Sequence, residues 1–135
     1  MSAAQKHVKI VCFIILVLAV VSLVGGIFMI ANSGSLDAEA KQAALSIGTV
    51  GIVDAVLDFI YVALGIRGAN TPRKIGPFRV LSLIAVVLYV VSIAYVAVKN
   101  PASLLSISNL YNILGLVLVG YGFYESGKVK AIAEK

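Results

Sequence analysis

Asp54 and Asp58 are two carboxylates inside a long apolar run, where ionisable side chains are least expected. Spacings of three and four put Gly51, Asp54, Asp58, Tyr61 and Gly65 on one face of a helix. If that helix crosses a bilayer, Asp54 lies near the midplane and Asp58 one turn from it. A charge at that depth costs about 2.5–3.5 kcal/mol by insertion scales, so the pair should face the protein interior or a wet cavity. Two carboxylates one turn apart in a low dielectric would share a proton. Such a pair could bind a proton or a cation and couple its movement to transport. The alternative is structural: acids kept neutral, or hydrogen-bonded to Tyr89, Ser92, Asn109 or Asn112, that specify how the helices pack.

The candidate ion- or proton-binding set is therefore Asp54, Asp58, Tyr61, Tyr89 and Asn112. Tyr61 and Tyr89 lie deep in their spans, and a buried phenol needs a hydrogen-bond partner, which Asp58 could be. Tyr95, Tyr111, Tyr121 and Tyr124 sit toward span ends and read as interfacial residues. Asn109 and Asn112, with Ser106 and Ser108, either line a polar pocket or hydrogen-bond between helices. Arg67 is nine residues from Asp58, about 13 Å of helix rise, and reads as an anchor at the helix end.

Other chemistries find no residues to carry them. Both acids share a helix, with no Gly-x-Gly-Asp setting, so an intramembrane aspartyl protease is not expected. There is no phosphate-binding glycine loop, no Cys/His cluster and no soluble segment long enough to fold. The single Cys12 reads as a packing residue, and the one histidine, His7, lies in the polar N-terminal stretch. No enzyme activity, metal or cofactor is expected.

The elements that position these residues follow from composition. The chain is 61% hydrophobic and 13% charged, against about 25% charged in soluble domains. Four spans are expected in one domain, at about 8–31, 43–66, 78–98 and 102–124. The first is too long for a signal-peptide core and lacks a convincing cleavage site. Gly34 could close it in a left-handed conformation, and Ser35 could cap the second helix. Pro77 suits the start of the third. Asn100 and Pro101 should stop the third and cap the fourth, and Gly127 should end the fourth.

Each span carries a stripe of small or weakly polar residues. These are Cys12, Ala19, Ser22 and Gly26; Gly51, Asp54 and Asp58; Ser82, Ala85, Tyr89, Ser92 and Val96; and Ser108, Asn112, Gly115, Val119 and Gly122. Small residues allow the close approach that holds helices together in lipid. The 3-4 repeat implies left-handed crossings, and short loops imply antiparallel neighbours. The expected fold is all-α: an integral-membrane, four-helix, up-down-up-down bundle.

Orientation follows from charge. Lys6, Lys9, Arg67, Arg73, Lys74, Arg79, Lys128, Lys130 and Lys135 fall on one side, and only Lys41 and Lys99 on the other: nine of eleven cations. The positive-inside rule puts the nine, and both termini, in the cytoplasm, with the chain in a plasma or cytoplasmic membrane. The net charge of +5 is thus explained without nucleic acid. The same bias could attract anionic lipid to Arg67, Arg73, Lys74 and Arg79. A bundle this small leaves little room for a cavity, so a homo-oligomer or a membrane-protein partner is expected.

Overall fold

A computed structural model describes residues 1–134, apart from the side chains of Ser103, Ile107 and Ser108. Ser108 of the fourth stripe and Lys135 of the basic tail lie outside the described residues. The chain is all-α, with helices α1 Ala3–Ala31, α2 Ala38–Asn70, α3 Gly76–Lys99 and α4 Ile107–Glu134. The 3-10 turns Ser33–Ser35, Pro72–Lys74 and Pro101–Ser103 lie in the connections. Among the described residues three stretches, Ala3–Ser35, Ala38–Asn70 and Gly76–Lys99, are long and apolar enough to cross a membrane. Phe13, Val21, Phe28, Leu57, Leu88 and Val91 are each more than half exposed, the pattern of a helical membrane protein whose solvent is lipid.

Side-chain caps decide where the helices begin. Ser2 and Gln5 form a reciprocal capping box: the Ser2 amide donates to Gln5 Oε1 at 2.8 Å, and the Gln5 amide to Ser2 Oγ at 3.2 Å. This starts α1 at Ala3, five residues before the expected span. Asp37, not Ser35, caps α2, accepting the Ala40 amide at 2.8 Å. Gly34 does not take the left-handed conformation, and α1 closes through the 3-10 turn Ser33–Ser35. Ser106 Oγ accepts the Asn109 amide at 3.3 Å and caps α4, whereas Asn100 makes no side-chain cap. The connection before α4 is accordingly longer than the tight turn expected. Nor does Gly127 end α4, which runs on to Glu134.

The chain divides into two compact units. One is the segment Phe13–Ala63, a hairpin of α1 and α2. Here Gly26 and Gly48 touch: a Cβ on Gly26 would lie 2.7 Å from the Gly48 carbonyl oxygen, and one on Gly48 would lie 2.8 Å from that of Gly26. Gly51 is looser, its Cβ position lying 3.5 Å from the Ser22 carbonyl oxygen. Gly26 thus faces Gly48 while Ser22 faces Gly51, so the two helices run antiparallel.

The other unit joins Met1–Cys12 to Leu64–Lys135. Val8, Cys12, Ile75, Phe78, Ser82, Ser126 and Val129 form its core, each 1% exposed or less. Any side chain on Gly65 would strike Cys12 Sγ and the Phe78 ring, and one on Gly68 would strike Ile75. Gln5 Nε2 donates to the Ala69 carbonyl at 2.8 Å, satisfying an acceptor in the last turn of α2. α3 and α4 pack antiparallel, with Tyr89 against Gly115 and Arg79 against Gly127.

Candidate functional site

Asp54 sits at the midpoint of α2, sixteen residues from Ala38 and sixteen from Asn70 (54 − 38 and 70 − 54). That is about 24 Å of rise in each direction. Its side chain is exposed, while the adjacent Ala55 is wholly buried. Within the hairpin, α2 buries Gly48, Ala55 and Val62 at a seven-residue spacing. In the same hairpin α1 buries Ala19, Gly26 and Ser33 at that spacing, and Cys12 is buried in the other unit. The first stripe is thus where the sequence placed it. The second is rotated: the smallest side chains, Gly48 and Ala55, take the contact, which puts Gly51 at its edge and Asp54 outside it.

Asp58, one turn on, is half-buried and feels the charge of Asp54. Tyr61 is buried, at 6% exposed. These three candidates therefore share α2 with graded exposure, from open Asp54 to enclosed Tyr61. Tyr89 on α3 and Asn112 on α4 belong to the other unit, and both are half-buried. A Cβ on Gly115, one turn beyond Asn112, would lie 2.6 Å from Tyr89 Cζ and 2.7 Å from its hydroxyl oxygen. The stripes read from α3 and α4 thus do face each other at Tyr89 and Gly115. Ser92 is exposed and donates to the Leu88 carbonyl in its own helix at 2.9 Å. Asn109 is buried and donates to the Leu104 carbonyl at 2.7 Å, so that amide fastens the start of α4 locally.

The sequence reading missed a polar cluster around Glu125. This residue is 3% exposed, on the turn of α4 that follows the apolar stretch. Its Oε1 lies 3.4 Å from Lys128 Nζ and its Oε2 3.5 Å from His7 Nδ1. Burial works to raise the Glu125 pKa, but His7, the Lys128 charge and Tyr121 outweigh it and hold the carboxyl below its usual range. Lys128 also lies 4.6 Å from the centroid of the Tyr124 ring. Arg79 covers the Phe123 ring at 4.7 Å and is half-buried, unlike the exposed Arg67, Arg73 and Lys74. The signal was present: Val119, Gly122, Ser126 and Val129 continue the buried stripe past Tyr124, so Glu125 lies beside a helix contact.

Among the described residues no three His, Cys, Asp or Glu side chains converge to hold a metal. No protein-family model, curated protein or solved structure matches the chain.

Proposed function

We propose that the chain is a non-enzymatic, multi-pass membrane protein that acts through helix packing, in a homo-oligomer or with a membrane partner. One observation carries this reading: Asp54 is exposed at the midpoint of an apolar helix long enough to cross a bilayer. A carboxyl left facing lipid there is costly, and a neighbouring helix removes the cost by covering it. The reading includes α4 as a fourth span, the basic side and both termini in the cytoplasm, and a plasma or cytoplasmic membrane as the location. Anionic lipid then meets the exposed cations Arg67, Arg73 and Lys74. Arg79, drawn onto Phe123, contributes less.

Cross-linking in native membranes tests the proposal. The parent protein should give an adduct with itself or with another membrane protein, and Asp54→Leu should lose it. An adduct pattern unchanged by Asp54→Leu, or none in the parent, would overturn the reading.

A second reading is favoured by Asp58, half-buried one turn from Asp54 and coupled to it electrostatically. In an oligomer whose contact covers Asp54, the pair forms a proton or cation site, and the assembly is a transporter or channel. Asp54→Asn keeps size and hydrogen-bonding capacity, so it should fold and still abolish proton- or cation-dependent flux in vesicles. Flux equal to the parent's would exclude this reading.

A further inference from the structure

Glu125 and His7 face each other with polar atoms that are enclosed and unsatisfied. His7 Nδ1 and Glu125 Oε2 are 3.5 Å apart, a contact too loose for a well-formed hydrogen bond but near enough to favour the Glu125 carboxylate, as Tyr121 also does. The Glu125 side chain is 4% exposed and that of His7 43%, so the imidazole reaches solvent while its Nδ1 does not. The two residues tie distant parts of the chain: His7 lies in the second turn of α1, and Glu125 near the far end of α4. Both belong to the unit built from Met1–Cys12 and Leu64–Lys135.

The charged and titratable groups around the pair come from several elements. On α4, Lys128 contacts Glu125 Oε1 at 3.4 Å, and the Tyr121 ring lies 6.0 Å from the imidazole. On α3, Arg79 is held over Phe123, two residues before Glu125, with its Nε enclosed and unpartnered. Beside α4, in the turn Pro72–Lys74, Arg73 and Lys74 are exposed. On α1, Lys6 is exposed and Lys9 half-buried. Lys128 therefore serves one Glu125 oxygen and leaves the other directed at His7.

Imidazole is the side-chain type whose proton exchange ordinarily falls near neutral pH. A neutral imidazole can donate from Nδ1 in only one of its two tautomers, and then lacks the pull of an added charge. With it, both ring nitrogens are donors, and Nδ1 meets a carboxylate already enclosed. Hydrogen bonds with both partners ionised are shorter and stronger than neutral ones.

We propose that His7 and Glu125 form a proton-operated latch: proton uptake by the imidazole tightens a charge-assisted hydrogen bond that fastens the start of α1 to α4, and proton release loosens it. Lys128 keeps Glu125 ionised through the working range, and Gln5, bonded to Ala69, holds the start of α1 within reach. The latch is independent of the Asp54 face and stands whether or not that face is covered.

Amide hydrogen exchange of the full chain in nanodiscs, corrected for intrinsic rates, tests this over residues 5–12. The parent should be about tenfold better protected at pH 5.5 than at pH 8, the effect expected for one charge-assisted bond. His7→Gln should abolish the difference, leaving exposure high at both pH values. His7→Lys supplies a permanent cation and should leave protection high at both. Equal protection of the parent at the two pH values would overturn the latch. So would a pH difference that survives in both His7 variants.

Discussion

Gly26 of α1 and Gly48 of α2 meet backbone to backbone, with no room for a Cβ on either. The first prediction follows from that contact. Gly48→Ala should destabilise the hairpin by about 1–3 kcal/mol, because its Cβ would press on the Gly26 carbonyl and on Ile30. Gly51→Ala has ordinary contact distances and should be near neutral, as should Gly25→Ala, whose Cβ meets nothing within 4 Å. Unfolding titrations in mixed micelles measure all three. Equal losses at 48 and 25 would refute the assigned contact.

Tyr89 and Gly115 give a second prediction, in the other unit. Gly115→Leu should cost about 1–3 kcal/mol by driving the Tyr89 ring out of its place. Tyr89→Ala removes the obstacle, so the double variant should lose less than the sum of the two single losses. Strict additivity in the cycle would mean that the two positions do not touch.

Orientation is tested by single cysteines in a Cys12→Ala background, labelled with an impermeant reagent from outside intact cells. The distribution of nine cations against two predicts labelling at 41 and none at 73 or 74. Labelling at 73 with none at 41 would reverse the topology.

Glu125 makes the acid limb of stability predictable in sign. Its folded-state pKa lies below the ordinary 4.5, so folding favours the ionised form. The contribution is present above that ordinary value and is lost as pH falls through the folded one. Glu125→Gln should therefore flatten the fall in stability below about pH 4.5. An unchanged acid limb in Glu125→Gln would show that the carboxyl is not held by its neighbours.

Much of this fold is legible in the residues. Apolar runs long enough to span a bilayer, separated by Pro and Gly, locate three helices, and the stripe Cys12, Ala19, Gly26 on α1 is the buried one. The face of α2 is harder. Gly51 and Gly48 are equally small, and only the crossing point with Gly26 decides which takes the contact. That choice turns Asp54 outward, against the expectation of an interior acid. Helix ends were misplaced where a side chain intervened: Ser2 with Gln5 extends α1 backward, and Ser106 delays α4. The pairing of His7 with Glu125 joins residues 118 apart in the chain (125 − 7), a distance over which no periodicity carries information.

The central claim, that protein covers the Asp54 face in the membrane, is tested most directly with spin labels. Val50 and Leu57 flank Asp54 on the same side of α2 and are exposed in the isolated chain, so each can be labelled with Asp54 intact. Collision rates with oxygen report lipid, and those with a water-soluble nickel complex report water. In native membranes the account predicts low rates with both reagents at 50 and 57, and high oxygen rates at Leu88 on α3 as the lipid reference. Oxygen rates at 50 and 57 as high as at Leu88 would place Asp54 against lipid and contradict the account.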